Sequence, residues 1–228
     1  MLDFSRFEVV TFDCYGTLID WETGILNVLR PILTTHGHPL HDSQILSLYA
    51  EVEPEIQKGE FTPYRRVLED VVRSLGHKLG FTPSLEEARS LPASLPNWQP
   101  FPDTVAALQK LKTRYKLGII SNTDNELFAH TARHLKVAFD TVVTAQQAGA
   151  YKPSVKPFEL ALKRLALSAD RVLHAGQSVY HDVVPAKSLG IATVLIERRG
   201  TGATRAVNAE PDLRVPDLKS LADAAVPT

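Results

Sequence analysis

VVTFDCYGTL, residues 9–18, is an apolar run that stops abruptly at Asp13, with Tyr15 where a second acid would complete a pair. Residues 7–13, FEVVTFD, have the length and composition of a short buried strand ending in a carboxylate. How that carboxylate is used depends on what the rest of the chain builds around it.

From residue 103 onward, helical and strand patterns alternate. A helix over about 103–113 precedes the strand KLGIIS at 116–121, and a helix over about 124–135 precedes TVVT at 141–144. A helix over about 155–167 leads to RVLHAG at 171–176, and one over about 182–189 leads to ATVLIE at 192–197. A last amphipathic segment, DLKSLADAAV, closes the pattern. Short strands alternating with helices predict βαβ units and a doubly wound parallel α/β sheet. Residues 22–97 read differently. Ile25, Leu26, Leu29, Ile32 and Leu33 recur at helical spacing, as do Ile45, Leu46, Tyr49 and Val52, and then Tyr64, Val67, Leu68, Val71, Val72 and Leu75. Pro54, Pro63 and Pro83 punctuate this region, and Pro92, Pro96, Pro100 and Pro102 end it. The expected organisation is an α/β core of residues 1–19 plus 99–228, interrupted by an all-helical insertion of 20–98. RRGTG at 198–202 lacks the third glycine of a dinucleotide loop and reads as a turn.

The bulk numbers exclude several classes. With 25 Lys and Arg against 26 Asp and Glu, a general nucleic-acid binder is not indicated. No apolar run approaches a membrane span, and MLDFSRFEVV does not have the form of a signal peptide. Cys14 is the single cysteine and cannot form an internal disulfide, which fits a cytoplasmic location. His36, His38 and His41 cluster without zinc-ligand spacing and read as a polar loop.

Ligands of open parallel sheets bind beyond the carboxyl ends of the strands. The expected strand ends supply Asp13 with Thr17, then Ser121 with Asn122, then a loop carrying Tyr151, Lys152 and Pro153, then GQSVYHD from Gly176 to Asp182. Singly, Ser121 and Asp182 read as helix caps and Lys152 as a solvated loop residue. Their coincidence at one sheet edge points to a site.

FDCYGTL, SNT, YKP and GQSVYHDVVPAKSLG together resemble, in order and spacing, the four motifs of the haloacid dehalogenase superfamily, and the helical insertion resembles its cap. The resemblance covers nearly the whole chain. It implies that Asp13 is a nucleophile forming a covalent ester. It implies that Thr17 and Ser121 orient it or its substrate, that Lys152 holds the negative charge, and that Asp182 anchors Lys152 and helps position water. The superfamily is mostly phosphatases. Those enzymes carry an acid where Tyr15 stands, to protonate the leaving alkoxide, and an Asp where Gln177 stands, to help bind Mg²⁺. A phenol, with an ordinary pKa of about 10, suits proton shuttling at neutral pH poorly. A glutamine offers a cation no charge.

A carbon–halogen bond needs neither group, because halide leaves as a stable anion. The Asp-x-Tyr-Gly-Thr-Leu frame is similar to that of the (S)-2-haloacid dehalogenases. The reading is therefore metal-independent, cofactor-free hydrolysis of short 2-haloacids to 2-hydroxy acids. A Mg²⁺-dependent phosphatase, with Asp124 as a further acid, and a non-catalytic binding domain are the alternatives. The expected substrate-contacting set is Cys14 and Tyr15, whose backbone N–H groups border the nucleophile, with Asn122, Arg65, Gln177, Ser178 and His181. Alternation turns the Cys14 thiol away from Asp13, as a packed and inert group. Tyr15 reads as a pocket wall. The cap arginine of the dehalogenases has no counterpart in the acidic SLYAEVEPEIQKGEF, so Arg65 is the expected cap cation, with Arg30 and Arg66 as further candidates and pairing of Arg65 with Glu69 as its bland role. Dimerisation through the cap is implied by the resemblance alone.

Overall fold

The computed structural model describes residues 2–198 and 207–227. Among these residues six strands form one sheet: β1 Val9–Phe12, β2 Lys116–Ser121, β3 Thr141–Thr144, β4 Val172–Gly176, β5 Ala192–Ile196 and β6 Leu213–Val215. Their order is β3-β2-β1-β4-β5-β6, and every pairing is parallel. β1 is buried along its whole length because helices cover both faces, as parallel sheets require. Phe12, the last residue of β1, lies opposite Ile119 on one side and Ala175 on the other, so β2 and β4 run slightly past β1 towards the same edge. The chain's winding reverses at β1, and the crevice beyond that point is where such sheets bind ligands.

The alternating half of the chain forms α5 Thr104–Lys112, α6 Asn125–Leu135, α7 Ala145–Ala148, α8 Lys156–Leu165, α9 Val184–Ser188 and α10 Leu218–Ala225. β6 and α7, at three and four residues, are too short to carry a periodic signal. The stretch read as a turn begins with Arg198, which is buried, and its residues 199–202 lie outside the described residues.

Between β1 and β2 come the insertion's helices, α1 Trp21–Thr35, α2 Asp42–Ile56, α3 Tyr64–Leu79 and α4 Leu85–Ser94. Their buried positions follow the 3.6-residue repeat, for example Tyr64, Val67, Leu68, Val71, Val72 and Leu75 on α3. Pro54 and Pro92 sit inside α2 and α4 instead of ending them. A proline near a helix end forfeits one ladder hydrogen bond, and packing on neighbouring helices outweighs that loss. The chain's two crossings into and out of this layer lie side by side. Asp20 N–H donates to Gln99 O at 2.9 Å, and Phe101 N–H donates to Leu18 O at 3.0 Å.

Candidate active site

Asp13 stands one residue past β1, where its N–H still donates to Ala175 O at 3.0 Å. The chain then turns sharply. The Cys14 carbonyl accepts from Leu18 and Ile19, and Gly16 adopts φ +94°. A Cβ at Gly16 would stand 2.9 Å from Trp21 Nε1 and 3.2 Å from Gln177 Oε1, so both φ and space demand glycine. The turn brings Thr17 Oγ1 back to donate to Asp13 Oδ2 at 2.8 Å, and Thr17 Oγ1 accepts the Gln177 N–H at 2.9 Å. The buried Arg198 holds the turn from beneath, its Nε donating to Thr17 O at 3.0 Å.

Lys152 is presented by the loop before α8. The Asn122 side chain clamps this loop in both directions, accepting Lys152 N–H at 2.7 Å and donating to Lys152 O at 3.1 Å. The ammonium is buried and its three N–H bonds each find an acceptor: Asp13 Oδ1 at 2.8 Å, Asp182 Oδ1 at 2.6 Å and Ile120 O at 2.9 Å. Asp182 lies in a single π-helical turn, Val179–Val183, between β4 and α9. It also meets His174 Nε2 at 3.3 Å and accepts Ser178 N–H at 3.3 Å. His174 Nδ1 in turn lies 3.0 Å from Thr11 Oγ1. A Cβ on Gly176 would fall 2.5 Å from the Asp182 carboxyl, so this approach also depends on glycine. A continuous buried polar chain thus runs from Thr11 through His174, Asp182, Lys152, Asp13 and Thr17.

The charges follow from competition between burial and pairing. Burial pushes the Asp13 carboxyl up, Lys152 opposes this, Asp182 reinforces it, and the balance lies above the ordinary value. Burial also acts against the charge on Asp182, but Lys152 and His174 outweigh it and hold that carboxyl well below the usual range. Burial would lower Lys152, and its two carboxylate partners raise it instead. The site therefore holds an ammonium between two acids of unequal strength, with Asp13 the more basic.

Asp13, Ser121, Asn122, Lys152, Gln177, Ser178, His181 and Asp182 border one cleft of about 420 Å³. Ser121 Oγ is buried there with no hydrogen-bond partner among the described residues, an orphaned group at the floor of a ligand-sized space. Burial pushes His181 down to about 4, so the imidazole is neutral near pH 7, and Ser178 Oγ lies 3.1 Å from its Nδ1. Tyr15 forms a wall. Its hydroxyl lies 2.8 Å from Thr131 Oγ1, and Thr131 donates to Leu127 O, so the phenol proton is directed to Thr131. Burial raises that phenol well above its ordinary value. The insertion supplies the roof, with Trp21, Glu53, Phe61 and Tyr64 facing the cleft.

Residues 7–190 match the family model of the haloacid dehalogenase-like hydrolases. The chain belongs to that family. The (S)-2-haloacid dehalogenase H-109 of Pseudomonas putida is 25% identical over 224 residues, covering 95% of this chain and 96% of the relative. A glyceraldehyde 3-phosphate phosphatase of Methanocaldococcus jannaschii is 35% identical, but over 103 residues, 43% of this chain and 44% of that one. Among solved structures, the L-2-haloacid dehalogenase of Xanthobacter autotrophicus with chloropropionic acid covalently bound superposes with a TM-score of 0.79 at 19% identity, covering 95% and 97% of the two chains. At that identity the likeness shows the fold.

Of the expected contact residues of this hydrolase, Arg65 does not reach the cleft, and Cys14, its thiol turned away as alternation predicts, does not line it. The Cys14 side chain is fully buried in the hydrophobic core on the far side of the strand end, and burial raises its thiol well above the ordinary value. Arg65 turns outward, its guanidinium 3.5 Å from Glu126 and its side chain 44% exposed. Helix phase is the reason: Tyr64 takes the inward position at the start of α3. Arg30 pairs with Asp42, and Arg66 pairs with Asp70 and Glu69, so neither reaches the cleft. Arg73, instead of Arg65, pairs with Glu69 at i,i+4.

Other participants escape the strand-end reading. His174 sits inside β4, where a histidine in an apolar run was the available signal. Glu53 was visible as part of an acidic stretch, and its inward position was not. Asp124 proves to be a borrowed helix cap. Pro63 precedes α3 and has no side chain that can cap it, and Asp124 accepts the N–H groups of Tyr64 and Arg65 at 2.8 Å each. With the Tyr151 hydroxyl donating to Thr62 O at 2.6 Å, this joins core and insertion directly above the cleft.

Proposed function

We propose that this hydrolase cleaves the carbon–halogen bond of short 2-haloacids. The observation that carries the reading is the state of Tyr15. The position two residues after the nucleophile holds a phenol bonded to Thr131, so that position supplies no acid to protonate an alkoxide leaving group. Asp13, Lys152 and Asp182 nevertheless form a complete buried cluster. Halide departs without a proton, and that is the chemistry such a cluster suits.

In this mechanism Asp13 attacks Cα of the substrate from the side opposite the halogen. The carbon–halogen electron pair leaves with the halide, giving an aspartyl ester and inverting the carbon. Water then adds to the Asp13 carbonyl carbon and the ester bond breaks; one water proton ends on the oxygen of the departing 2-hydroxy acid, the other is released to solvent, and the Asp13 carboxylate is restored. Lys152 and Thr17 hold the two carboxylate oxygens in line, a positioning effect worth several kcal/mol. The orphaned Ser121 hydroxyl is placed to donate to the substrate carboxylate. Asn122 serves chiefly to hold Lys152, and Gln177 and Ser178 complete the floor.

The donor set does not suit a resident divalent cation. Asp13 and Asp182 are both engaged by the Lys152 ammonium, Gln177 contributes no charge, and Asp124 is committed to α3. Among the described residues no three His, Cys, Asp or Glu side chains gather as a metal site.

The test is halide release from chloroacetate and from each enantiomer of 2-chloropropionate in EDTA, with Asp13→Asn as the control. Release that this variant abolishes supports the reading. Mg²⁺-dependent phosphate release from p-nitrophenyl phosphate, without halide release, overturns it.

A further inference from the structure

The roof of the cleft holds an acid that the mechanism above leaves unused. Glu53, on α2, borders the same cleft as Asp13 and is half-buried. Gln57, one turn further on, donates its Nε2–H to Glu53 Oε1. No cation pairs with Glu53 among the described residues. Lys58, which also borders the cleft, is clamped by both oxygens of Glu55 at 2.6 Å. Phenols stand around it: Tyr64 on α3 and Tyr151 from the core loop border the same cleft, and the Tyr49 hydroxyl on α2 lies 3.2 Å from that of Tyr64.

This placement poses a physical difficulty. An anionic substrate must enter a space whose buried floor carries Asp13 and Asp182 against the ammonium of Lys152, with Lys58 and Lys156 at its exposed rim. A further carboxylate in the roof would repel it at short range and in a poorly screened setting. An un-ionised carboxyl reverses the effect, since its O–H is a donor to an anion.

We propose that Glu53 is the specificity residue of the roof: as the neutral acid it donates its O–H to a small monovalent anion in the cleft, and as the carboxylate it shuts that anion out. The anion is the carboxylate of a short haloacid or the halide it releases. The inference rests on the dehalogenase reading for its substrate class.

The environment sets where this switch lies. Burial pushes the Glu53 carboxyl up to about 7. From the other elements around the cleft, the phenols of Tyr15, Tyr49, Tyr64 and Tyr151 are all raised further above their ordinary value and stay neutral there. His181 is already neutral, Lys152 stays cationic and Asp182 anionic. Asp13 lies above its ordinary value and faces Glu53 from the floor. Glu55 with Lys58, Lys156 at the start of α8, and Tyr180 complete the polar groups bordering the space. Glu53→Gln separates its contribution from that of Asp13, because the amide removes one titration and leaves the other.

The experiment measures binding of propionate and, separately, of bromide to the wild-type protein and to E53Q in EDTA, at about pH 5.5 and about pH 8.5, either side of the Glu53 midpoint. Thermal melts confirm folding, and carboxyl NMR follows Glu53 directly. The expected result is roughly tenfold weaker binding to wild type at the higher pH, with that difference reduced to about twofold or less in E53Q. Propionate showing the effect identifies the substrate carboxylate as the anion that Glu53 meets, and bromide identifies the halide. An equal pH dependence in both proteins overturns the proposal, as does absence of binding by either anion at both pH values. Halide release with a KM indifferent to pH also overturns it while leaving the dehalogenase reading standing. The expected binding pattern in a protein that releases no halide sinks that reading and leaves the role of Glu53 intact.

Discussion

The Lys152 ammonium lies 2.8 Å from Asp13 Oδ1 with both groups shielded from solvent, so the proposed nucleophile and its counter-ion are held together in the folded chain itself. Removing the cation leaves Asp13 facing Asp182 without compensation. Lys152→Met should abolish turnover and destabilise the fold by about 3–5 kcal/mol, the scale for breaking a buried pair. Adding Asp182→Asn should recover part of that stability and no activity. Denaturant titration of both variants, beside activity assays, checks this.

Gly176→Ala tests the approach of Asp182. The new methyl would sit 2.5 Å from the carboxyl and must displace it. A stability cost of about 1–3 kcal/mol is expected, with kcat falling roughly a hundredfold as Lys152 loses its anchor. Full activity in this variant would show that Asp182 need not hold its observed position.

Tyr15→Phe removes a hydroxyl bonded to Thr131, not to the reacting atoms. The expected loss is about 1 kcal/mol of stability, with kcat unchanged within a few-fold. A hundredfold drop in kcat would place the phenol in the chemistry.

Asp124→Asn removes the charge and one of the two acceptors that cap α3. A loss of ~1 kcal/mol is expected. Amide exchange should quicken in the first turn of α3, with little change in the central strands. Uniform exchange throughout the protein would contradict a local latch between core and insertion.

Glu53→Gln has a stability signature apart from binding. The folded carboxyl titrates at about 7 against 4.5 for the free side chain. Between those values the unfolded chain ionises while the folded one stays protonated, so wild-type stability falls as pH rises. The variant lacks this penalty and should be more stable than wild type by ~1–3 kcal/mol near pH 8, with the difference vanishing below about pH 4.5. Parallel melts across this range decide it.

The convergence of Asp13, Ser121, Lys152 and Asp182 was legible because Ser121 ends a strand of a parallel sheet and the others lie in segments that follow one, and such strands deliver their carboxyl ends to one edge. A local pattern and a general rule of topology were sufficient. Arg65 shows where that logic stops. The sequence puts a cation at the start of a helix, but the roughly 100° between successive helical positions sends Tyr64 inward and Arg65 to Glu126. Asp124 fails in another way. It stands at the cap position of its own helix α6 and spends its oxygens on α3, about sixty residues away in the chain, because Pro63 leaves that helix end unsatisfied.

The order of residues thus sets the α/β architecture, the helical insertion and the acids at the strand ends, since periodicity and strand termination are local properties of the chain. Charge states and partners were decided only on folding. Whether Glu53 is ionised, whether Tyr15 keeps its proton and which acid of the Lys152 cluster is the stronger all depend on burial and on atoms within a few ångströms. Those neighbours come from segments far apart in sequence, and only the folded chain places them together.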